Sequence, residues 1–516
     1  MCHHCLILVV FLFSISACTS LPEKVERVES RAFTDTENTP LGKEARELSE
    51  KHGGKDGFLL LESGIDAFAA RAILVEEARR SIDVQYYLYH PDLVGGLFTG
   101  ILLDAAERGV RVRILLDDMD FDGRDRDLAL VNRHPNIEIR IFNPFDRRVS
   151  RGLQFVTGLG SVTRRMHNKS FTVDNAYTIL GGRNIGDEYF DADPQVEFAD
   201  LDVVAVGDVV RDVSTAFDLY WNSELVYPVE SIIEERVSDE EYRQLIDRVN
   251  SFQATHEQSV YIQALYNSDL YRKAVKDELA YYWGDAEVVV DDPEKIMHSR
   301  DASELHLTTQ LEPYFQNIKK ELVIVSPYFV PGREGVEFFK TLIDRGVRVV
   351  ILTNSLASND VGVVHAGYAN YRDDLLRIGV ELYEMNKKLT RAQRKEKKGM
   401  SGSSKASLHA KTFMLDRKLV FIGSLNLDPR SFYENTEIGL VLHSEKLAED
   451  MVEDILGGLE KNTFRLEIIP GEDVDQILWH GFEDGKPVTY EVEPHTGFWR
   501  RLGVGLMSIL PMESQL

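Results

Sequence analysis

Cysteine is scarce in this sequence and is confined to one end. The three cysteines, Cys2, Cys5 and Cys18, all fall within the first 18 residues of a chain of 516. No residue after them can form an internal disulfide or a cysteine-based zinc site. No other metal-binding cluster stands out in the sequence, and we expect neither a metal nor any other cofactor.

An excess of positive charge is also missing. Lys and Arg together number 59 against 85 Asp and Glu, which gives a net charge of −26. Because proteins that wrap nucleic acid usually present a broad basic face, this balance argues against nucleic acid as the partner. Apolar residues make up 43% of the chain, so a large core can form, and the length suits two or three domains.

Long hydrophobic runs are absent except near the start. Leu6 to Ile15 is almost continuously apolar, but about ten residues are too few to cross a bilayer ~30 Å thick as a helix. The run fits the hydrophobic region of a secretory signal peptide. The small residues before Cys18 resemble the lipobox of bacterial lipoproteins, which implies that residues 1–17 are removed and that Cys18 carries the lipid.

An uncleaved hydrophobic anchor is the alternative, because no Lys or Arg precedes the apolar run. Both interpretations attach the chain to a membrane. The lipoprotein interpretation exposes it to the periplasm, and Thr19 after Cys18 favours the outer membrane by analogy.

A strand–helix–glycine–strand pattern occurs twice in the chain. This order is typical of a βαβ unit with a parallel sheet. The string Arg-Gly-Val-Arg-Val opens the second strand in both copies and suggests a duplication. The strands concerned are Ile82–Tyr89, Val110–Leu116, Leu322–Phe329 and Val347–Leu352, and the repeated string spans 108–112 and 345–349.

Two copies of His-x-Lys-x4-Asp follow the repeated units. Residues two apart on a strand share a face, so His and Lys of each copy point the same way. Both copies also have a glycine 14 residues and an asparagine 17 residues after the histidine, which makes coincidence negligible. The residues are His167, Lys169, Asp174, Gly181 and Asn184 in the first copy, and His409, Lys411, Asp416, Gly423 and Asn426 in the second.

These strings resemble the HKD motifs of the phospholipase D superfamily, and the resemblance covers about 55 to 470. It implies an α/β fold: a pseudo-twofold pair of lobes, each a mixed, largely parallel sheet flanked by helices, with one active site at the lobe interface. Gly181–Tyr189, Gly423–Ser431, Ser355–Asp360 and His365–Tyr368 ahead of Tyr371-Arg372 narrow the likeness to bacterial cardiolipin synthases, nearest the C-type subfamily.

The residue types suit phosphodiester chemistry without a metal. One neutral histidine can attack phosphorus and become a phosphohistidine, while the other donates a proton to the leaving oxygen. Lys169 and Lys411 supply positive charge to the phosphoryl oxygens, and Asn184 and Asn426 add hydrogen bonds. The family resemblance favours His167 as the nucleophile.

Acidic residues are expected to orient the two imidazoles. Asp202 and Glu437 lie in matching apolar strands at the place where the family has a histidine-binding acid; a solvated carboxylate at the strand edge is the alternative. Asp174 and Asp416 complete the motif of catalytic residues, but each falls where a strand turns. We therefore expect these two aspartates to act structurally.

The resulting domain boundaries follow composition and motif positions. Residues 230–300 are acidic and helix-like, and we interpret them as a surface connector. The predicted segments are a signal peptide at 1–17, a tether at 18–54, the first lobe at 55–229, the connector at 230–300, the second lobe at 301–470 and a C-terminal tail at 471–516.

Features outside the motifs favour a phospholipid substrate and a membrane partner. Besides the N-terminus, 387–398 is strongly basic and can draw anionic headgroups, although a solvated loop is the alternative. Gly497–Pro511 can lie at a membrane interface or dock on the protein. The subfamily implies cardiolipin synthesis from phosphatidylglycerol, with phosphatidylethanolamine or a second phosphatidylglycerol as donor. A phospholipase D hydrolase that releases phosphatidic acid and a membrane-tethered nuclease are the alternatives.

Overall fold

The computed structural model describes residues 21–22, 25–157, 162–193, 197–359, 361–387, 406–471 and 475–508. The expected signal peptide, Cys18 and nearly all of the basic run 387–398 lie outside the described residues. Among the helices within these ranges, none is both long and apolar enough to cross a membrane.

The first lobe is built on a mixed sheet with strand order β9-β4-β3-β2-β5-β6-β8-β1. The central strands β2, β3 and β4 are parallel, as the βαβ pattern predicts, and the remaining pairs are antiparallel. The strands are β1 (Asp56–Leu61), β2 (Ser81–Tyr86), β3 (Arg111–Asp117), β4 (Ile137–Phe142), β5 (Ser170–Val173), β6 (Tyr177–Gly181), β7 (Glu197–Ala199), β8 (Asp202–Val206) and β9 (Val226–Pro228).

The second lobe repeats this sheet in the order β18-β13-β12-β11-β15-β16-β17-β10. Strands β19 and β20 extend it beyond β18. The strands are β10 (Tyr282–Val290), β11 (Glu321–Val325), β12 (Arg348–Asn354), β13 (Glu381–Met385), β14 (Ala406–Leu408), β15 (Thr412–Leu415), β16 (Leu419–Gly423), β17 (Ile438–His443), β18 (Thr463–Ile469), β19 (Gln476–Glu483) and β20 (Lys486–Tyr490).

Helices lie in each crossover between parallel strands and in several other segments of the chain. In the first lobe and connector they are α1 (Pro40–Lys51), α2 (Gly64–Glu77), α3 (Leu93–Glu107), α4 (Asp125–Val131), α5 (Arg151–Thr157), α6 (Val209–Trp221), α7 (Val229–Ile232), α8 (Asp239–His256), α9 (Val260–Tyr266) and α10 (Asp269–Val275). In the second lobe they are α11 (Leu307–Gln316), α12 (Gly332–Asp344), α13 (Gly362–Ala369), α14 (Arg372–Ile378), α15 (Pro429–Tyr433), α16 (Glu445–Asn462) and α17 (Phe498–Met507).

The repeated glycine marks the same turn in both lobes. Gly109 and Gly346 have φ of +91° and +83° at the ends of α3 and α12. Glycine adopts this left-handed conformation without steric cost, so the chain can leave each helix and enter the parallel strand that follows.

The two sheets join through their edge strands. β1 pairs with β10 in antiparallel register from Asp56–Gly284 to Phe58–Tyr282. One buried cluster draws side chains from both lobes, among them Val203 of β8 and Ile422 of β16. The lobes therefore share a core, which holds the two motif strands in a fixed relation.

Two expected boundaries differ from the structure. β10 lies within the range that we expected to be a helical connector. Exposed Asp285 and Glu287 alternate with less exposed residues in this strand, and their charge concealed the strand pattern. Helix α1 lies within the expected tether, and Thr39 caps its N-terminus through the backbone N–H of Gly42. The connector itself is helical, as expected, and Phe252 of α8 packs against the first lobe.

Candidate active site

The two motif strands are held by main-chain contacts from the opposite lobe. The backbone N–H of His167, just before β5, donates to the carbonyl of Thr436 at 2.9 Å. The backbone N–H of His409, just before β15, donates to the carbonyl of Ala199 at 2.8 Å. Both histidines are buried, with 8% and 6% of their surface exposed. This exchange places the two imidazoles at the junction of the lobes.

The carboxylates that bind the imidazoles also cross between lobes. Nδ1 of His167 lies 2.9 Å and 3.1 Å from the two carboxylate oxygens of Glu437 in the second lobe. Nδ1 of His409 lies 2.6 Å from Oδ2 of Asp200 in the first lobe. Because Nδ1 is taken in both rings, Nε2 is the atom left to meet a substrate.

Asp202, the first-lobe acid expected to orient a histidine, does not do so. It accepts a hydrogen bond from Nη2 of Arg71 at 2.8 Å, and both side chains are buried. The backbone N–H of Gly182 donates to the carbonyl of Leu201, and that of Ser424 donates to the carbonyl of Ile438. Leu201 therefore matches Ile438, and Asp200, the residue before Leu201, matches Glu437. The sequence alignment of the two acidic strands was therefore wrong by two residues.

The electrostatic balance favours neutral histidines facing ionised acids. Burial lowers the pKa of His167 to about 4; Glu437 opposes this shift and the charge of Lys169 adds to it. Burial, and then the charge of Lys411, lowers the pKa of His409. Burial by itself raises the pKa of Asp200 and Glu437, but the facing histidines and lysines outweigh it and lower both. The free protein thus has imidazoles able to act as a nucleophile or a base.

The motif lysines lie beside their own histidines. Nζ of each lysine donates to the carbonyl of the histidine two residues earlier, at 2.5 Å for Lys169 and Lys411 alike. Nζ of Lys411 also lies 3.0 Å and 3.2 Å from the two ring nitrogens of His409. Burial lowers the pKa of Lys169 to about 7. An anion bound between these two buried lysines would favour their protonated forms, so the junction suits an anionic group.

The two asparagines are buried but have different partners. Asn184 donates to the hydroxyl of Tyr189 at 3.0 Å and accepts from the backbone of Leu88 at 3.2 Å. The ring of Tyr189 in turn packs 5.2 Å from that of His409. Oδ1 of Asn426 is buried and, among the described residues, has no hydrogen-bond partner. A phosphate-binding role stays a prediction for both.

The motif aspartates lie at the far ends of β5 and β15 from the histidines. Asp174 accepts the backbone N–H groups of residues 79–81 at 2.7–3.3 Å, and Asp416 accepts those of residues 319–321 at 2.7–3.2 Å. Both have a positive φ, at the turns into β6 and β16. Each aspartate ties a motif hairpin to the start of the antiparallel strand beside it, β2 for Asp174 and β11 for Asp416.

Several residues that hold the site were not identified from the sequence. Asp117 at the end of β3 accepts the backbone N–H of Met166 at 2.9 Å, and Asn354 at the end of β12 accepts that of Leu408 at 3.0 Å. Ser424 donates to Glu437. Asp117 and Asn354 each end the strand that begins in the repeated pentapeptide, so their matched positions were a signal available in the sequence.

One group outside the paired motifs has a metal-like composition. His90, Asp92 and Glu188 offer ligand atoms within 4.8 Å of one another. Nδ1 of His90 lies 3.2 Å from Glu188, and Nε2 lies 3.7 Å from Asp120. Ion pairs between His90 and these acids explain why the three side chains lie together, and we assign no metal to them.

Comparison with known proteins agrees with the duplicated architecture. The family model described as cardiolipin synthase, PLD-like domain, matches residues 73–221 and 311–456, which contain both motifs. Cardiolipin synthase C of Escherichia coli (strain K12) is 42% identical over 469 residues, covering 90% of this chain and 97% of that protein. An uncharacterized protein of Helicobacter pylori is 33% identical over 510 residues, covering 98% and 99%.

A solved structure shares the fold at low sequence identity. The crystal structure of the phosphatidylserine synthase of Haemophilus influenzae Rd KW20 superimposes with a TM-score of 0.55 at 14% identity, covering 82% of this chain and 92% of that one.

Proposed function

Because the chain belongs to the cardiolipin synthase family of phospholipase D-like proteins, we propose that it transfers a phosphatidyl group from one phospholipid to a hydroxyl group of another. The observation that carries the proposal is the pair of buried histidines, each bonded through Nδ1 to a carboxylate of the opposite lobe. Such a pair can provide a nucleophile and a proton carrier on one phosphorus atom.

His167 is the proposed nucleophile. No hydrogen bond reaches its Nε2 from the described residues, whereas Nζ of Lys411 lies 3.2 Å from Nε2 of His409. Nε2 of His167 attacks phosphorus, the P–O bond to the donor headgroup breaks, and His409 gives the leaving oxygen a proton. The acceptor hydroxyl then gives its proton to His409 and displaces His167 from phosphorus.

The other motif residues are proposed to bind the phosphoryl group. Lys169 and Lys411 can turn an N–H toward its oxygens, and the phosphate charge favours both protonated lysine and protonated His409. Asn184 and Asn426 are proposed to add hydrogen bonds. Asp200 and Glu437 hold the imidazoles in one tautomer and stabilise the positive charge that develops on them.

Burial of the site favours transfer over hydrolysis. His167 and His409 are less than a tenth exposed, and the rings of Tyr87 and Phe198 pack 5.1 Å from them. Limited access for water prolongs the phosphohistidine until a lipid hydroxyl arrives. On this basis we propose cardiolipin synthesis from phosphatidylglycerol, with phosphatidylethanolamine or a second phosphatidylglycerol as donor.

The test uses purified full-length protein with labelled phosphatidylglycerol and phosphatidylethanolamine, followed by separation of the lipids. Cardiolipin formation that is lost in His167→Ala and His409→Ala supports the proposal. Phosphatidic acid as the only product supports a hydrolase instead. Plasmid nicking without lipid turnover contradicts both.

We also propose that the protein works as a membrane-attached lipoprotein of the periplasm, with Cys18 as the lipidated residue. The support is the apolar run followed by small residues and a cysteine. Labelled palmitate and mass spectrometry of the mature N-terminus test this; an intact Met1 contradicts it.

A further inference from the structure

The C-terminal helix α17 has one side against the second lobe. The carbonyl of Ser508 accepts from Asn370 at 3.4 Å, and Nη2 of Arg500 donates to the carbonyl of Asn359 at 3.0 Å. Nη1 of Arg501 donates to the carbonyl of Thr496 at 2.6 Å. The arginines thus use their guanidinium groups to fix the helix in position.

The opposite side of α17 is apolar and exposed. The exposed fractions are 62% for Phe498, 80% for Trp499, 42% for Leu502 and 59% for Leu506. At about 100° per residue, these four side chains fall within an arc of about 100° on the helix. An isolated exposed apolar residue is ordinary, but four on one helical face mark a binding surface.

This face is connected to the active site by a short chain of contacts. Arg500 donates to the carbonyl of Asn359, and the backbone N–H of Asn359 donates to the carbonyl of Ser355, the residue after Asn354. Asn354 makes two hydrogen bonds, of 2.9 Å and 3.0 Å, to the main chain of Leu408, next to His409. The exposed face is therefore fixed relative to the second catalytic motif.

We propose that helix α17 docks the enzyme on the surface of a phospholipid bilayer, with Phe498, Trp499, Leu502 and Leu506 among the acyl chains. The proposal rests on the proposed function, since a lipid with two acyl chains has to reach the buried histidines from a bilayer. Aromatic side chains with an adjacent pair of arginines are the composition that favours a headgroup interface.

A second copy of the chain is the less suitable occupant. A stable protein interface takes roughly 20–30 residues from each side, and this face offers four. Two chains of net charge −26 also repel each other. In the described part of the chain, no carboxylate forms an ion pair with Arg500 or Arg501, so the positive charge at this helix is not offset by a direct partner.

Quenching of tryptophan fluorescence tests the docking without reference to activity. Full-length protein is mixed with phosphatidylglycerol and phosphatidylethanolamine vesicles whose acyl chains are brominated. Trp221 and Trp479 are buried and Trp283 is partly buried, so Trp499 is the tryptophan placed to meet bromine. We expect quenching that disappears in Trp499→Phe. Equal quenching in both proteins, or none in either, overturns the proposal.

Kinetics on two forms of substrate provide the second test. In Trp499→Ser/Leu506→Ser we expect turnover of bilayer lipid to fall at least about tenfold, because the variant removes two apolar side chains from the bilayer. Turnover of a short-chain, monomeric phospholipid is expected to stay unchanged. The control Val260→Ser/Tyr266→Ser removes apolar side chains of 70% and 53% exposure on α9 and is expected to change neither rate.

The outcomes separate the two proposals. Unchanged bilayer turnover in Trp499→Ser/Leu506→Ser, or an equal loss on both substrate forms, contradicts docking through α17. If the wild-type protein turns over neither form of lipid, the proposed function fails, and the quenching experiment alone judges the docking surface.

Discussion

Nδ1 of His409 lies 2.6 Å from Oδ2 of Asp200, although the two residues belong to different lobes. The reverse contact joins His167 of the first lobe to Glu437 of the second at 2.9 Å. Each lobe thus supplies the histidine of one pair and the carboxylate of the other. We infer that neither lobe forms a competent site alone.

Asp200→Asn is expected to lower the turnover rate by about 100-fold or more, because the charge that stabilises protonated His409 is lost. The free energy of unfolding should fall as well, because Asp200 also offsets the charge of buried Lys411, so rates are compared per folded molecule. Asp202→Asn is the matched control two residues away. It leaves buried Arg71 without its counter-charge and is expected to lower the free energy of unfolding by about 3–5 kcal/mol. Denaturant titration and initial rates measure both effects. Equal loss of activity in the two variants, at equal folded fraction, contradicts the assignment of Asp200.

Asp174→Ala and Asp416→Ala are expected to impair folding more than chemistry. Each removes a carboxylate that accepts three consecutive backbone N–H groups. We expect a loss of at least about 3 kcal/mol in unfolding free energy, since hydrogen bonds to charged groups contribute about 1.5–3 kcal/mol each and water replaces part of them. Turnover per folded molecule should stay within about threefold. A loss of rate comparable with that of His409→Ala in fully folded protein would place the aspartates in the chemistry.

The pH profile of kcat/KM should lie at lower pH than the ordinary pKa values of histidine and lysine would give. Burial lowers the pKa of His167 to about 4, so the histidine stays neutral, and able to attack, until the pH falls to about 4. The amine of Lys169, whose pKa burial lowers to about 7, loses its charge as the pH rises through 7. We expect activity to fall on both sides of this window.

Lys169→Arg provides the control for the pH profile. A guanidinium stays charged, so the decline above pH 7 should disappear in any activity that the variant retains. A decline that persists unchanged would assign the alkaline limb to another group.

The two lobes should respond differently to substitutions at matched positions. A Cβ on Gly182 would lie 2.2 Å from Oδ1 of Asp200, so Gly182→Ala should displace that carboxylate from His409 and reduce activity by about 100-fold. Ser424→Gly at the matched position removes the hydroxyl that bonds to Glu437 and to the backbone of Ile438, and should cost about tenfold. Rate measurements on the folded variants test the order, and a milder effect at Gly182 contradicts it.

Local patterns made much of the fold predictable. The paired His-x-Lys strings and the repeated pentapeptide identified the duplication, the parallel strands and the motif strands, because their information lies in short-range periodicity. The contacts of Asp200 and Glu437 with histidines of the opposite lobe depend on where β8 and β17 begin in their sheets. The choice between Asp200 and Asp202 could not be made locally, since residues two apart on a strand share a face.

β10 shows a second limit of the sequence. Asp285 and Glu287 alternate with less exposed residues in this strand, which falls within the range 230–300 that its acidic composition led us to interpret as a helical connector. These residues form a strand because they pair with β1 and β17, and both partners are distant in the chain. Long-range pairing of this kind is not contained in a local window.

Mapping the covalent intermediate tests the central claim most directly. Wild-type protein is mixed with labelled phospholipid, quenched within one turnover, digested and analysed by mass spectrometry. We predict a phosphatidyl group on His167 that is absent from His167→Ala. Label on His409, or turnover with no labelled histidine, would contradict the account.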